Sequence, residues 1–537
     1  MPARRRHSLL AAAEPVCIPL NESFPESPLN ELLPSSQPPT SGLTRTLVLA
    51  VVTVTFGTWF PMGYSIAAMN GPQSVILDWI RQVKCQRVGS LDVAERNTSR
   101  WCGPPAEDLL QDLPELRLIW AVLSSAFMVG GFVSTFLAAG LIDRFGLKRT
   151  ILINSGVFIL GNSLICLAEV SSAYELITAG RFIIGFSLGI SCVAPPIYCS
   201  EITPTNLRGT FGVLPVVMNV AGMIVATVLG LPVLLGNAGG WTALNAFCFI
   251  SQIALLLVFP MCPESPRRLY LTVDDREAAH HVLHWLRRSS VLVRSDMKEL
   301  EAERETHLPE PVGLVQLLRE PYFRSVLKIC VTAMLAQQLS GFSCVSFYST
   351  AIFTDVGLTR RTSIYASIGV WCVFLTFALL CMALIDRVGR RILLLVSHTG
   401  MIVALMGFVL SLNLPHTGDY AWVRFLPAAC IPLYIAFYAL GSNSIPYILP
   451  AEMFGQEARA AAMTWVSAVS WGAAVVTTLM FPLVNALTKE YTFLFFVASV
   501  VAATWYLLFK LPETKGRTIE EVQGVLRRQL AGHTTSG

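Results

Sequence analysis

Charged residues are scarce in this chain of 537 residues: they make up 14% of it, against about a quarter in a soluble globular protein. The shortage is uneven, because long stretches carry no charge while the charges gather between them. A charge at the centre of a bilayer costs about 2.5–3.5 kcal/mol on insertion scales, so this distribution is typical of a membrane protein. It argues against the alternative, a large soluble helical protein.

Several functional signatures are also missing. The sequence has no glycine-rich phosphate-binding loop, which argues against an ATP-driven pump, and its eight histidines show no metal-ligand spacing. We find no catalytic constellation, so we expect neither an enzyme nor a bound metal or cofactor. The basic stretches are short and lie next to apolar runs, which argues against nucleic acid as a partner. The N-terminus lacks the long apolar run of a signal peptide.

What the sequence contains is twelve apolar runs, and about twenty apolar residues suffice for a helix to cross the hydrocarbon. Because lipid offers no partner to a backbone N–H or C=O group, we predict that every run is a helix. The first six runs lie near 46–69, 118–141, 149–168, 173–198, 210–235 and 241–262. The second six lie near 326–353, 363–385, 391–412, 422–449, 460–485 and 491–510. The predicted fold class is an all-α polytopic membrane protein.

A charge-rich stretch between the sixth and seventh runs divides the chain. The expected parts are a disordered cytosolic tail at 1–44, a six-helix bundle at 45–263, a cytosolic linker with short helices at 264–325, a second bundle at 326–511 and a cytosolic tail at 512–537. The short loops after the second and eighth runs are basic, and the positive-inside rule places them in the cytosol with both termini. We take the plasma membrane as the expected location.

The loop at 78–117 then lies outside. It contains Asn97-Thr98-Ser99, and we expect N-glycosylation at Asn97. It also holds Cys85 and Cys102. In an extracellular loop these either pair as a disulfide or remain two separate thiols, and the sequence leaves both alternatives open.

An internal repeat marks the cytosolic ends of the spans. Asp143-Arg144-Phe145-Gly146 is echoed by Asp386-Arg387-Val388-Gly389, and Pro263-Glu264-Ser265 by Pro512-Glu513-Thr514. Two such halves imply two bundles related by a pseudo-twofold axis along the membrane normal, which rock against each other around a central site.

Charged residues of this repeat are the predicted cytosolic gate. They are Arg144, Glu201, Arg208, Arg387, Glu452 and Arg459. Carboxylates and arginines brought together across helices attract each other and hold this side closed. The alternative is that they only anchor helix ends at the lipid surface.

From about residue 46 to 522 the chain resembles the sugar porters of the major facilitator superfamily, and most closely the animal facilitative hexose transporters. The resemblance rests on GLIDRFGLKR at 140–149, PIYCSEITPTNLRG at 196–209, PESPR at 263–267, QQLSG at 337–341, DRVGRR at 386–391 and PETKGRT at 512–518. It implies a 6+6 major facilitator fold and facilitative uniport of a hexose, such as glucose or fructose, by alternating access.

The resemblance also implies a substrate site. Its residues are Gln337, Gln338, Ser343, Tyr348, Tyr447 and Trp471. At other positions where the family carries polar residues, this chain has Val216, Phe374, Ala439 and Ala474. The loss of amides leaves a second solute class open, a urate or a polyol. A third alternative, a sugar sensor that does not transport, is disfavoured by the short C-terminal tail.

No Asp or Glu lies in the middle third of any span, and Ser65 stands near the place where proton-coupled relatives carry an acidic residue. A proton relay needs a titratable group beside the pathway. The sequence therefore favours a carrier driven only by the solute gradient. Arg181 is the one charge well inside an apolar run, and we expect it to cap helices rather than to contact the solute.

Overall fold

A computed structural model of the chain describes residues 43–89, 102, 114–204, 207–305, 312–345, 353–354, 357–413, 425–488, 491–515, 517 and 519–534. Helices make up most of these residues. In the first half the six spans are Arg45–Ala67, Pro114–Phe145, Leu147–Val170, Glu175–Ser191 continued by Ala194–Ile202, Arg208–Leu229, and Trp241–Ala246 continued by Cys248–Val258. In the second half they are Pro321–Gln338, Arg360–Val388, Arg390–Asn413, Leu426–Phe437 continued by Tyr438–Ser442 and Ile445–Met453, Gln456–Thr488, and Thr492–Lys510.

Ten of these spans are long and apolar enough, within the described residues, to cross a membrane. The fifth span contributes a shorter apolar helix at Leu214–Leu229, and the seventh is described as a helix only up to Gln338 and again at 342–345. The prediction of an all-α polytopic membrane protein is confirmed.

Both halves repeat one pattern of helix packing. The first span packs on the fifth, the second on the fourth and the third on the sixth. In the second half the seventh packs on the eleventh, the eighth on the tenth and the ninth on the twelfth. The halves meet where the second span packs on the eleventh and the fifth on the eighth. This is the arrangement that the internal repeat predicted.

The repeat also holds at the level of single atoms. A tight turn joins the second and third spans at Gly146, and another joins the eighth and ninth at Gly389, with φ of 84° and 101°, a region that favours glycine. The carboxylate of Glu264 accepts from the backbone N–H of Lys148, and that of Glu513 accepts from the equivalent backbone N–H of Arg391. Each carboxylate therefore caps the N-terminus of a span from a segment more than a hundred residues away.

Proline in the first span explains a polar contact inside the first bundle. Pro61 lacks an N–H, so the carbonyl of Gly57 one turn earlier has no partner within the helix. Gln252 of the sixth span donates to that carbonyl at 2.8 Å, and Ser155 of the third span donates to Gln252 at 2.7 Å. Three spans are thus joined by hydrogen bonds where lipid would offer none.

The stretch after the first span, part of which was predicted as a polar loop, contains a helix. Residues Gln73–Gly89 form a helix that buries Ile76, Leu77, Ile80 and Val83; positions 76 and 77 are each followed three or four residues later by 80, and 80 is followed by 83, so they lie on one side of the helix. Cys85 and Cys102 form a disulfide, which settles the question that the sequence left open. Arg87 of this helix pairs with Glu175 at the start of the fourth span, and that hydrogen bond raises the pKa of Arg87.

Short helices occupy the stretches expected as linker and C-terminal tail. The linker has helices at Pro266–Leu271, Arg276–Arg287, Ser290–Glu305 and Leu314–Arg319. Beyond the twelfth span, Ile519–Thr534 is a helix whose Val522 and Leu526 are buried against the second bundle. The C-terminal segment is therefore a packed helix over these residues.

Candidate substrate site and gate

A break in the tenth span lies at the centre of the second bundle. Its first helix ends at Phe437, a π-helical turn covers Tyr438–Ser442, and a new helix begins at Ile445. Such a turn frees backbone groups that must find partners elsewhere. Ser397 of the ninth span supplies them, because its hydroxyl donates to the Phe437 carbonyl at 2.6 Å and accepts from the Ser442 N–H at 3.0 Å.

Gln337 holds the same break from the seventh span. Its side-chain amide donates to the carbonyl of Asn443 at 2.9 Å, and the side chain is buried. The amide oxygen has no hydrogen-bond partner within the part of the chain that the structure describes. The side-chain amide of Gln337 therefore donates to the tenth span, while its oxygen is an acceptor with no partner among the described residues.

One hydrogen-bond network joins three spans: the seventh contributes Gln338 and Ser343, the tenth Tyr447 and the eleventh Ser470. Gln338 donates to the hydroxyl of Ser470 at 2.8 Å, and the Tyr447 hydroxyl lies 3.2 Å from the same oxygen. Ser343 donates to the amide oxygen of Gln338 at 3.4 Å. Gln337 and Gln338 thus point to different neighbours, as expected for adjacent residues about 100° apart on a helix.

Sequence reasoning missed Ser470, which is the shared partner in this network. A serine inside an apolar helix usually bonds back to its own helix, so its spacing gave no signal. The one sequence signal that could have identified Ser470 is its position directly before Trp471. Ser397 was missed for the same reason.

Trp471 lies at the boundary between the two halves. Its ring centroid is 6.2 Å from that of Phe127 on the second span, at an interplanar angle of 61°. It fits against Gly131, where an added Cβ would lie 2.6 Å from the indole. The tryptophan expected to face the solute therefore also contacts the opposite half.

Arg181 is buried, with 2% of its surface exposed, and its guanidinium donates to the carbonyl of Ser65 at 2.6 Å. That carbonyl lies in the last turn of the first span, so Arg181 caps a helix end. The same guanidinium lies 4.6 Å from the ring centroid of Phe127. This is the capping role that the sequence favoured.

Aromatic rings occupy much of the space where the resemblance implied polar groups. Phe374 is 1% exposed and packs edge-on against Phe342 and Tyr438, which stack on each other with centroids 4.1 Å apart. Ala439 and Ala474 are buried as well. The wall formed by the seventh, eighth and tenth spans is therefore more apolar than the amide-rich wall of the family pattern.

Two of the predicted gate residues, Glu201 and Glu452, accept hydrogen bonds from equivalent hydroxyls of their own halves. Ser265 donates to Glu201, and Thr514 donates to Glu452. Arg390 adds an ion pair to Glu452 at 3.0 Å. The side chains of Arg144 and Arg387 are exposed, and that of Arg459 is half-buried.

Three of the predicted residues fall wholly or partly outside this description. Tyr348 and Asn97 lie outside the described residues. Arg208 is described only as the first backbone position of the fifth span.

Comparison with known proteins extends these observations. The family model for "Sugar (and other) transporter" matches residues 49–526. A sheep (Ovis aries) protein, "Solute carrier family 2, facilitated glucose transporter member 3", is 32% identical over 492 residues, which cover 91% of this chain and 94% of that protein. A human protein, "Solute carrier family 2, facilitated glucose transporter member 4", is 33% identical over 501 residues, which cover 92% of this chain and 93% of that protein.

Solved structures agree on the fold. The xylose transporter XylE from E. coli in a partially occluded inward open conformation matches with a TM-score of 0.68 at 18% identity, covering 88% of this chain and all of that one. Its inward open conformation matches with a TM-score of 0.66 at 19% identity, covering 89% and 99%. At this identity the likeness concerns the fold alone, and it is the twelve-helix major facilitator fold.

Proposed function

Because the chain belongs to the sugar (and other) transporter family, we propose that this multi-pass membrane protein carries a hexose such as glucose or fructose across the plasma membrane by facilitative uniport. The observation that carries the proposal is the neutral polar network of Gln338, Ser343, Tyr447 and Ser470 beside Trp471. Amides and hydroxyls both donate and accept, as sugar hydroxyls do. The indole supplies a flat face for a ring.

Alternating access follows from the two-part architecture. We propose that the bundles at 45–263 and 326–511 rock around this network, with the termini and the linker in the cytosol and Asn97 glycosylated outside. Arg144, Glu201, Arg208, Arg387, Glu452 and Arg459 then form the cytosolic gate. The sequence places no carboxylate in the middle of a span, which supports uniport without proton coupling.

A specific observation supports a second solute class. The cluster of Phe342, Phe374 and Tyr438 replaces hydrogen-bonding groups with ring faces and edges. A buried sugar hydroxyl without a partner costs about 1–3 kcal/mol, whereas a flat or smaller solute has fewer hydroxyls to satisfy. Urate, which carries no alcohol groups, is therefore the alternative that this wall favours; the polyol that the sequence left open would need a hydrogen-bond partner for each of its hydroxyls.

Uptake by purified protein in liposomes separates these proposals. We expect saturable uptake of labelled D-glucose or D-fructose, with no uptake of L-glucose, and weak competition by urate and sorbitol. Effective competition by urate or sorbitol alone would favour the alternative. No stereospecific uptake of either hexose would overturn the hexose proposal.

A variant locates the site. Gln338→Ala removes the donor to Ser470 and one solute partner, so the apparent affinity should fall about tenfold. Gln82→Ala, which removes an exposed amide bonded to Asp78 on the outer helix, should leave the affinity unchanged. An unchanged affinity in Gln338→Ala would remove this residue from the site.

A further inference from the structure

Trp465 lies where the linker reaches the second bundle. It stands on the eleventh span, and its indole N–H donates to the carbonyl of Leu314 at 3.1 Å. Leu314 begins the linker helix Leu314–Arg319. A second hydrogen bond, from the Val312 N–H to the Glu457 carbonyl at 2.9 Å, fastens the same segment to the start of the eleventh span.

The other side of Trp465 contacts the first half. The ring of Phe136 on the second span meets the indole edge-on, with centroids 6.1 Å apart and an interplanar angle of 83°. Phe132, one turn earlier on the second span, lies 5.5 Å from Phe136 and faces Gly472. Trp465 is thus one side chain in contact with the linker, the second bundle and the first bundle.

The contact has a defined depth. Phe136 lies nine residues before the end of the second span at Phe145, and Trp465 lies nine residues after the start of the eleventh at Gln456. Both therefore stand between the middle of the eleventh span, where Trp471 lies, and the helix ends that carry the predicted gate residues. At this depth the two spans separate when the bundles rock open on that face.

We infer that Trp465 couples the position of the linker to the contact between the two halves, and so acts as a positioning residue for alternating access. The inference rests on the proposed transport by rocking bundles. When the second and eleventh spans separate, the contact of Phe136 with Trp465 breaks. The indole of Trp465 then keeps its hydrogen bond to Leu314 but loses the ring of Phe136. A change in the contact between the halves therefore changes the position of the linker, and a change in the linker changes that contact.

Two measurements on the full-length protein in liposomes test the coupling. Spin labels at the exposed positions Arg149 and Arg517, with Cys17 and Cys372 replaced by serine, report the separation of the halves at the gate face. Hydrogen exchange at the amides of Val312 and of Leu314–Arg319 reports the linker. Phe136 lies on the second span and not in the linker, yet the coupling requires Phe136→Leu to change both the separation of the halves and the exchange in the linker.

We expect Phe136→Leu and Trp465→Leu each to raise the widely separated population about threefold to tenfold, the effect of losing one edge-to-face ring pair. Both should also speed exchange in the linker. Trp465→Phe keeps a ring opposite Phe136 but loses the N–H donor, so it should speed linker exchange with a smaller change in separation.

The matched control is Phe509→Leu. Phe509 meets Trp505 edge-on at 5.2 Å, but both belong to the twelfth span and so do not join the halves. It should change neither readout. If the rate of hydrogen exchange in the linker stays unchanged in Phe136→Leu, the inference is overturned. That result is expected if Trp465 only packs against both segments without coupling them. If the wild-type protein carries no solute, the proposed function fails independently of these distances.

Discussion

Single residues at the seam between the halves determine how closely Trp471 approaches the second span. The indole occupies space that exists only because residue 131 is glycine, since an added Cβ would lie 2.6–2.8 Å from three of its ring carbons. Real carbon contacts lie near 3.5–4.0 Å, so either the ring or the helix must shift. The same ring borders the polar network through its neighbour Ser470.

Gly131→Ala should therefore lower uptake at least about tenfold, a loss of about 1.4 kcal/mol, by displacing Trp471 from the solute. Gly140→Ala on the same span is the control, because an added Cβ there meets nothing within 4 Å. Initial uptake rates in liposomes, normalised to the folded protein, provide the measurement. Equal rates in both variants would show that Trp471 does not face the solute.

Much of this site was not readable from residue spacing. The motif pattern gave Gln337, Gln338 and Tyr447 by resemblance, but it gave Gln337 only as a solute ligand. Its bond to the Asn443 carbonyl depends on a π-helical turn, whose register no local pattern encodes. Ser470 and Ser397 were missed because a buried serine has the same sequence context whether it bonds to its own helix or to another.

At the scale of elements, the broken tenth span depends on side chains from two neighbours. Gly441 and Pro446 mark the region in the sequence, yet the break is held by Ser397 on the ninth span and Gln337 on the seventh. Removing a partner from a buried backbone group costs about 1–3 kcal/mol. The break is thus stabilised by specific donors and acceptors and is not simply a weak stretch of helix.

Ser397→Ala leaves the Phe437 carbonyl and the Ser442 N–H without this hydroxyl. We expect it to lower the free energy of unfolding by about 1–3 kcal/mol and to slow transport, because the turn loses its defined geometry. Ser411→Ala is the control: it is also buried on the ninth span, but its hydroxyl bonds within its own helix. Thermal unfolding in detergent, compared between the two variants, gives the result; equal unfolding temperatures would contradict the role of Ser397.

Outside the twelve spans, one helix was not predicted because charged residues interrupt its apolar positions. The helix Gln73–Gly89 carries Asp78, Arg81, Lys84 and Arg87, and its mixed composition favoured a loop. Its apolar residues face inward at helical spacing, which a search for continuous apolar runs does not detect. The spans themselves were predictable from their length and lack of charge. A single apolar segment that crosses lipid has to pair its own backbone groups, and the α-helix does this.

At the scale of the whole molecule, the repeated caps place equivalent charges at one face of both halves. Glu201 and Glu452 accept from equivalent hydroxyls, while Arg390 pairs with Glu452 at a position where the first half has Leu147. Because the ion pair of Glu452 with Arg390 is described, Glu452 is a well-defined site for a test of the gate.

Glu452→Gln and Arg459→Gln should weaken closure of this face and shift the population toward the state open to the cytosol. Labelling of an engineered cysteine from each side of the membrane measures the shift. Glu301→Gln, which breaks an exposed linker pair with Arg276, is the control and should change nothing. Unchanged labelling in both gate variants would mean that these residues only anchor helix ends.

Counterflow tests the central claim, that one neutral cavity between two related bundles opens alternately to either side. Vesicles loaded with unlabelled hexose and diluted into labelled hexose should transiently accumulate label above its outside concentration. The overshoot should be the same with and without a pH gradient, because no carboxylate lies in the middle of a span. Absence of an overshoot, or accumulation that appears only with an acidic outside, would contradict the account.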